Sequence, residues 1–413
     1  MTSPAGESAV AAGLRILSLS TVFPNPGDPI LGTFVHSRLR HMAAMPGIDL
    51  RVVAPIPILD YSNYRHRLIR LGGTPLHRTD GGLNVMHPRW IYPPAAGGLN
   101  GVLLGIELLP YLASIRRNFR FDVIDAHFAH PEGVAAGILA ACFGCPFTIT
   151  VRGNEVVHAQ SRLKRKWMRW ALSRASRIFT VSGRLRDFAI ANGANPGTTL
   201  VVPNGIDPAV FHPRDRQEVR SSLGIPATDL LVLSAGYLTE LKGHHRVVRT
   251  IKAARERGLP ARLAIVGGGL GDPFAAEIER TIRQTEMQSY VRLVGRVNSE
   301  TMAEWMSAAD LFCLASHREG WPNVVHEALA CGTPVVATDV GAVPDLIPDA
   351  RYGTVVTPGD QNSLDTAVCD ALTGSWDRTA IAALGMSRTW REVAAEVLKE
   401  ISAAVDTWRG QAH

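Results

Sequence analysis

The chain has 413 residues, too many for one ordinary hydrophobic core, and its content of 46% hydrophobic and 19% charged residues is typical of a folded α/β protein with two domains. Five cysteines are too few for a disulfide scaffold, which favours a cytoplasmic protein, and the first residues lack the basic and apolar segments of a signal peptide. The most apolar stretch, residues 97–115, contains Asn100, Glu107 and Pro110 and makes a poor membrane span.

Charge is divided unequally between the two halves of the chain. Residues 1–200 contain 22 Lys and Arg against 11 Asp and Glu, a balance of +11, whereas residues 201–413 contain 21 against 26, a balance of −5. A basic N-terminal half indicates an anionic partner there. The balance leaves open a membrane surface, a lipid phosphate or a nucleic acid.

Short apolar runs alternate with helical stretches through the first half of the chain. This alternation is typical of parallel strands, because each crossover between parallel strands needs a connecting helix. A helix is predicted at residues 33–44. Strands are predicted at residues 14–19, 50–55, 123–126, 147–151 and 178–181.

The pattern restarts after a linker at residues 194–197, which contains Pro and Gly. Two successive sets of strands and helices predict two Rossmann-like, doubly wound α/β domains facing each other across a cleft, with ligands at the carboxyl ends of both sheets. A terminal helix is predicted at residues 390–408. Strands of the second set are predicted at residues 200–202, 230–233, 263–266, 291–293, 311–314 and 334–336.

Two carboxylates, Glu319 and Glu327, are separated by seven residues in a segment that reads as loop, helix and buried strand. Pro322 fits the first turn of this helix and Gly332 fits the left-handed position after its end. The free N–H groups at the helix start would bind an anion, while the acids could accept bonds from sugar hydroxyls. These N–H groups belong to Asn323, Val324 and Val325.

The run Glu-Gly-Trp-Pro-Asn-Val-Val-His-Glu-Ala at residues 319–328 resembles the E-x7-E signature of retaining nucleotide-sugar glycosyltransferases with the GT-B fold, and is most similar to glycosyltransferase family 4. The resemblance implies that Glu319 holds hydroxyls of the donor sugar and Glu327 the ribose diol. It also implies an acceptor-binding domain at 1–196, a donor-binding domain at 197–385, and a segment at 386–413 that returns to the first domain.

Two further segments are similar to phosphate-binding segments of that family. The run at residues 236–243 resembles its G-R-L-x-x-x-K-G clamp, with Lys242 at the lysine position and Tyr237 in place of the usual arginine. Gly32 stands just before a predicted helix, where the family has a glycine that lets backbone amides approach a diphosphate. The alternative interpretation gives them no functional role: Gly32 would be a turn glycine and Lys242 a solvated lysine.

The strand ends at His127 and Arg152 are expected on the cleft side of the first sheet. The run from Asp125 to Gly133 resembles an acceptor-side segment of bacterial polysaccharide transferases, although a structural role for His127 is an equal alternative. Many relatives have His-Gly where this chain has Arg152-Gly153. A guanidinium cannot act as a base but could neutralise a phosphate and so replace the clamp arginine that is missing.

The resemblance implies a metal-independent hexosyltransferase without a cofactor, because no Asp-x-Asp metal motif occurs. Its donor would be a nucleotide-diphosphate sugar and its acceptor a polyprenyl-diphosphate-linked saccharide in exopolysaccharide or cell-envelope assembly. The basic, tryptophan-containing run at residues 162–177 would contact the inner face of the plasma membrane, unless it is only a solvated helix face.

Other functions remain open from the sequence alone. One alternative is a phospholipid or small-molecule glycosyltransferase. An NAD-dependent oxidoreductase would also have two Rossmann domains, but the glycine run at 267–271 does not match G-x-G-x-x-G. A basic nucleic-acid-binding protein is a third class, although the resemblance favours no nucleic-acid partner.

Overall fold

A computed structural model describes residues 13–59, 73–91, 97–268, 272 and 274–411. The described chain divides into two compact units. Unit 1 runs up to Asn204 and resumes at Trp390, and unit 2 is Gly205–Thr389. These divisions lie eight and four residues beyond the boundaries predicted at 196/197 and 385/386.

Unit 1 contains an eight-stranded sheet in the order β10-β9-β8-β7-β1-β2-β5-β4, parallel except for the antiparallel edge pair β4–β5. Strand order reverses between β1 and β7, so the loops that follow these two strands leave the sheet at its switch point. A parallel pair, β3 and β6, lies apart from this sheet. The strands are β1 Leu14–Leu19, β2 Ile48–Val53, β3 Ile56–Leu59, β4 His77–Asp80, β5 Leu83–Met86, β6 Arg89–Ile91, β7 Val123–His127, β8 Phe147–Val151, β9 Arg177–Thr180 and β10 Thr199–Val201.

The assignment of the strand near residue 200 to the second domain was wrong. Strand β10 pairs in parallel with β9, which places it in the first sheet. The three residues of β10 form backbone hydrogen bonds with the edge of β9. The chain therefore leaves unit 1 only after Asn204. The basic run at 162–177 was also read as one segment, whereas its helix ends at Leu172 and Arg177 opens β9.

The helices of unit 1 cover the sheet and bury its apolar strands. The terminal helix packs against the first helix, and Trp390, Val397 and Ile401 share one core cluster with Val35 and Leu39. No helix among the residues described is both long and apolar enough to cross a membrane. The helices of unit 1 are α1 Thr33–Ala43, α2 Asn100–Asn118, α3 Val134–Phe143, α4 Asn154–His158, α5 Arg162–Leu172, α6 Gly183–Ala191 and, at the end of the chain, α15 Trp390–Gln411.

Unit 2 contains a six-stranded parallel sheet in the order β13-β12-β11-β14-β15-β16. This is the doubly wound Rossmann order, and its switch point lies between β11 and β14. Apolar clusters lie on both faces of the sheet, which explains the nearly continuous hydrophobic strands. The strands are β11 Leu230–Ala235, β12 Ala261–Val266, β13 Val291–Gly295, β14 Leu311–Leu314, β15 Val335–Thr338 and β16 Gly353–Val356.

The helices of unit 2 connect these strands in the crossover pattern that the sequence predicts. Gly332 has φ 76° directly after the helix that ends at Ala330, the left-handed position expected for it. The helices are α7 Arg216–Ser222, α8 His244–Glu256, α9 Ala275–Gln284, α10 Ser299–Ala308, α11 Asn323–Ala330, α12 Val343–Leu346, α13 Gln361–Thr373 and α14 Arg378–Gly385.

Candidate active site

Lys242 and Glu319 meet at the switch point of the unit 2 sheet. Lys242 follows β11 and Glu319 follows β14, and the lysine Nζ lies 2.7 Å from the Glu319 Oε1 atom. Both side chains are partly buried, with 23% and 11% of their surface exposed. The Ser316 hydroxyl donates to the same oxygen at 2.7 Å. The carboxylate is therefore held by a cation and a hydroxyl at the sheet edge where Rossmann-like folds bind ligands.

Glycines allow the loops that carry this pair to approach one another. A side chain on Gly341, at φ 55°, would place its Cβ 2.5 Å from the backbone oxygen of Glu319. At Gly243, which has φ 69° and follows Lys242, a Cβ would lie 2.1 Å from the Ala315 oxygen. The His317 N–H also donates to the Leu241 oxygen at 2.8 Å. Close backbone contact thus fixes the spacing of the two functional side chains.

Helix α11 presents its N-terminus after Glu319, but in a form that differs from the prediction. The helix begins at Asn323, so Pro322 precedes it rather than occupying its first turn. The Val325 N–H bonds to the Pro322 oxygen at 2.9 Å and is not free, because the first turn is tight. The Val324 N–H has no acceptor among the described residues, which leaves it able to bind a ligand.

Glu327 lies in the second turn of α11 and is partly exposed. Desolvation raises the pKa of its carboxyl group to about 7. This carboxyl group accepts no hydrogen bond from the described part of the chain, although the backbone oxygen of Glu327 accepts the Cys331 N–H. A carboxylate in this state gains from a ligand that supplies hydroxyl donors.

Tyr237 occupies the position where the similar family has an arginine, and 38% of it is exposed. It follows Gly236, whose φ of 143° disfavours a side chain, and an added Cβ there would lie 3.4 Å from the Lys242 stem, an ordinary van der Waals contact. A phenol at this position can donate one hydrogen bond but supplies no positive charge at neutral pH.

In unit 1, Arg152 and His127 are in direct contact at the carboxyl ends of β8 and β7. The Arg152 guanidinium donates to His127 Nδ1 at 3.1 Å and to the Asn204 amide oxygen at 3.1 Å. The His127 proton must then sit on Nε2, which lies 3.4 Å from Asp125. Burial lowers the pKa of Arg152 to about 9, so the group stays charged at neutral pH, and burial lowers that of His127 to about 4.

A buried ion pair stands behind this contact. Asp125 accepts from Arg38 at 3.1 Å and from the Thr148 hydroxyl at 2.7 Å, and Arg38 also donates to Thr150. Burial alone would raise the pKa of Asp125, but the Arg38 charge and the bonds from His127 and Thr148 hold it well below its usual range. His127 thus lies fully buried between an acid and two guanidinium groups.

Gly32 caps helix α1 in the left-handed conformation, with φ 68°. An added Cβ would lie 2.3 Å from the Val22 oxygen, so only glycine fits. Two residues further on, the Phe34 ring lies 4.9 Å below the Arg152 guanidinium. The start of α1 and Arg152 are therefore neighbours within unit 1, and together they offer amides and a positive charge.

The predicted site residues thus fall into two groups. Three lie in unit 1 and contact one another directly or through a neighbour: Gly32, His127 and Arg152. Six lie in unit 2, of which Lys242 and Glu319 form the direct contact: Tyr237, Lys242, Glu319, Asn323, Val324 and Glu327. Among the residues that the structure describes, no three His, Cys, Asp or Glu side chains converge as a metal site would require.

Sequence reasoning missed several buried polar residues near the unit 1 group. Glu155 accepts the N–H groups of Ala129, Arg152 and Gly153 and so ties the loops after β7 and β8 together. Glu132 accepts the Thr21 N–H at 2.9 Å and also its hydroxyl. Both acids come a few residues after a predicted strand, and this position could have marked them as candidate site residues from the sequence.

Two family models match consecutive parts of the chain. Residues 31–210 match the family described as Glycosyltransferase Family 4, and residues 215–384 match Glycosyl transferases group 1. The chain belongs to the family 4 and group 1 glycosyltransferases. The predicted enzyme class and family are confirmed, and an oxidoreductase or a nucleic-acid-binding protein is not supported.

Relatives in sequence have related activities. The chain is 26% identical over 367 residues to the glycosyltransferase TuaC of Bacillus subtilis, provisionally assigned to teichuronic acid biosynthesis, covering 86% of this chain and 88% of TuaC. It is 35% identical over 186 residues to D-inositol 3-phosphate glycosyltransferase 2 of Catenulispora acidiphila, covering 44% of each chain. The chain therefore spans less than half the length of that second relative.

Solved structures show the fold. Sucrose-phosphate synthase from Thermosynechococcus elongatus superposes with a TM-score of 0.72 at 21% identity, covering 97% of this glycosyltransferase and 98% of that chain. Anabaena HepE in complex with UDP and glucose also gives 0.72, at 18% identity, covering 94% and 100%. The predicted GT-B fold class is confirmed by these matches to GT-B glycosyltransferases.

Proposed function

We propose that this glycosyltransferase transfers a hexose, with retention and without a metal, from a nucleotide-diphosphate sugar to a lipid-linked saccharide in the assembly of an envelope polysaccharide. The Lys242–Glu319 pair at the switch point of unit 2 carries the proposal. A cation and a carboxylate 2.7 Å apart suit a ligand that has a phosphate beside sugar hydroxyls. HepE, which was solved with UDP and glucose, shares the fold.

The residues of unit 2 would stabilise the leaving nucleotide. Lys242 would place its charge on the diphosphate, where negative charge grows as the glycosidic bond breaks, and the Val324 amide at the start of α11 would add a donor. Glu319 would accept hydrogen bonds from hydroxyls of the sugar and so keep the anomeric carbon in place. Glu327 would accept from the ribose diol, which supplies the donors that its carboxyl lacks.

Retention follows in this proposal from attack on the same face that the leaving group departs from. The acceptor hydroxyl would pass its proton to the leaving phosphate oxygen, so no protein carboxylate needs to form a covalent intermediate. Arg152 and the start of α1 would supply positive charge and amides within unit 1, whereas Tyr237 leaves the clamp of unit 2 without its arginine.

The lipid-linked acceptor is supported by the TuaC relative and by the surface of helix α5. Arg165, Lys166 and Arg169 are exposed on that helix, while Met168 and Leu172 are buried against unit 1. Exposed cations on an amphipathic helix are typical of contact with an anionic membrane. Such contact would place the enzyme at the inner face of the plasma membrane.

A small phosphorylated polyol is the second candidate acceptor. The observation that favours it is the 35% identity to D-inositol 3-phosphate glycosyltransferases, which exceeds the 26% identity to TuaC, though over a shorter part of the chain. Both acceptors are compatible with the same donor chemistry in unit 2. Transfer assays with each acceptor would therefore distinguish the two candidates.

The experiment that tests the proposal starts from the donor. Purified protein is mixed in turn with UDP-, GDP- and ADP-sugars, and donor hydrolysis is followed with and without EDTA. We expect one donor class to be hydrolysed and the rate to survive EDTA. Loss of activity in EDTA with recovery in Mn²⁺ or Mg²⁺ would reject the metal-independent part. The anomeric configuration of the transferred sugar, read by NMR, then decides between retention and inversion.

A further inference from the structure

His130 is a buried histidine that makes no hydrogen bond through either ring nitrogen within the described part of the chain. It lies in the turn after β7, at the switch point of the unit 1 sheet, and is 2% exposed. Neither Nδ1 nor Nε2 makes a hydrogen bond to a described residue. Burying an imidazole without a partner is unfavourable, so such a group points to a ligand that supplies the missing bonds.

Other buried histidines of this chain show that the state of His130 is unusual. His87 bonds to the Ala54 oxygen at 2.9 Å, His326 to the Gly385 oxygen at 2.9 Å and His244 to Ser234 at 3.0 Å. Each of these side chains uses at least one ring nitrogen inside the protein. A histidine that only fills the core would be expected to do the same.

The backbone around His130 is held in a strained shape. Phe128 has φ 79°, which is uncommon for an aromatic residue, and it is fixed by bonds of its N–H to the Thr150 oxygen and of the Gly133 N–H to its own oxygen. The buried Glu155 carboxylate accepts the N–H of the next residue, Ala129. Strain that the surroundings hold in place is typical of functional sites, where it preorganises a side chain.

Basic groups surround the His130 ring. The His158 ring stacks against it edge to face, with centroids 5.2 Å apart. Desolvation is the largest cause that lowers the pKa of His130, followed by the charges of His158 and of Lys164 on helix α5, and together they bring that pKa to about 3. His130 is therefore neutral at physiological pH and offers one donor and one acceptor beside a lysine cation.

Exposed apolar side chains lie around this group. Val156 is on the same short helix as His158, and Leu163 precedes Lys164 on α5. The Leu163 side chain lies over Gly98, next to the exposed Leu99. The lysine charge beside the neutral His130 ring, with an apolar rim, suits a phosphate ester whose other end is apolar.

We propose that His130, His158 and Lys164 form a subsite in unit 1 that binds a phosphate group of the acceptor. This inference rests on the proposed function and adds to it the acceptor's chemical class and the residues that bind it. The phosphate can come from two sources, a lipid-linked diphosphate or a soluble sugar phosphate, and the same side chains would bind either. Lys164 supplies the charge and His130 the directional bonds.

The test compares acceptor KM for Lys164→Gln, His130→Gln and the control Lys166→Gln. Lys166 lies on the same helix and carries the same charge, but it is exposed. The acceptors are a polyprenyl-diphosphate-linked saccharide in neutral detergent and a soluble sugar phosphate, because neutral detergent removes attraction to an anionic surface. We expect KM to rise about fivefold for Lys164→Gln and about tenfold for His130→Gln, with less than about a twofold change for Lys166→Gln.

The acceptor for which this pattern holds identifies the source of the phosphate. If Lys164→Gln and Lys166→Gln behave alike with both acceptors, the subsite is rejected. Lys164→Glu, a surface change that does not depend on repacking the core, should raise KM further than Lys164→Gln and covers the case in which His130→Gln fails to fold. Donor hydrolysis by the unaltered enzyme is measured first, so failure of the glycosyltransferase proposal is seen separately from failure of the subsite.

Discussion

Glu319 shares one of its oxygens between Lys242 and Ser316, each at 2.7 Å. The contact with lysine is charge-assisted and the contact with serine is not, so the two partners should differ in their effect on the site. In the free protein Lys242 is therefore already held by a carboxylate, which keeps its ammonium at the switch point before any phosphate arrives.

Replacing Glu319 by Gln should lower kcat for donor hydrolysis by about 10- to 100-fold. The reason is loss of charge-assisted hydrogen bonds, which contribute about 1.5–3 kcal/mol each. The matched control is Ser316→Ala, which removes the other bond to the same oxygen and leaves the carboxylate, and which should cost about fivefold. Equal losses in steady-state kinetics of the two variants would mean that the negative charge is not used.

Glu327 should make the folded protein less stable as pH rises. The raised pKa keeps a proton on the folded carboxyl up to about pH 7, whereas the unfolded group releases it near its ordinary pKa of 4.5. Between these values the folded state binds more protons, so the free energy of unfolding falls with increasing pH. The melting temperature of Glu327→Gln should therefore be higher than that of the unaltered protein at pH 8, and the two should become similar at pH 4.5. A difference in melting temperature that does not change with pH would contradict the raised pKa.

The residues that sequence could not predict are the buried charged ones. Arg38 and Asp125 are 87 positions apart and form a buried pair, yet charged side chains are mostly exposed, so neither would be placed in a core from the sequence alone. His130 stands in the same predicted segment as His127, and only its missing partners in three dimensions distinguish it.

At the scale of elements, strands with clear ends were predictable. The predicted bounds of β1, β8 and β14 are those observed. The apolar runs of β1 and β8 have a Gly or Pro before them and a polar residue after them, and that of β14 begins after Asp310. The hairpin of β4 and β5 was missed, since Arg-Thr-Asp is polar and lies at the sheet edge. The turn itself, with Gly81 and Gly82 at positive φ after Asp80, was a readable hairpin signal.

The loop between β15 and α12 should matter to the site through Gly341. Gly341→Ala adds a Cβ at φ 55° and 2.5 Å from the Glu319 oxygen, so the loop that carries Glu319 must move. The control Gly224→Ala has φ 70° but nothing within 4 Å of its Cβ. Both should lose about 1–2 kcal/mol of unfolding free energy from the left-handed backbone. Only Gly341→Ala should also lose donor hydrolysis, measured at a temperature where both variants are folded.

At the scale of the whole molecule, the charge balance separates the two halves more clearly than any motif. The first 200 residues carry +11 and the remainder −5. The whole of this basic half falls within unit 1, and several cations of α5 are exposed. An anionic partner for unit 1 stays a prediction, because charge alone does not distinguish a lipid from another polyanion.

Removing exposed cations of α5 should weaken binding to anionic vesicles. The variant replaces Arg165, Lys166 and Arg169 by Gln, and each cation near an anionic surface contributes about 1 kcal/mol. Because the attraction is electrostatic, binding of the unaltered protein should also fall as salt shortens the screening length to about 8 Å at physiological ionic strength. Vesicle co-sedimentation at low and physiological salt measures both effects.

A matched variant separates a local membrane contact from a general effect of net charge. Lys252, Arg280 and Arg283 are exposed on helices of unit 2, where each pairs with a glutamate of its own helix. Replacing these three by Gln changes the net charge by the same amount and should leave vesicle binding within about twofold, because exposed pairs contribute little. If both triple variants lose binding equally, α5 is not the contact. If the unaltered protein ignores anionic vesicles at low salt, α5 is a solvated face and the proposal of a membrane-bound acceptor loses its physical support.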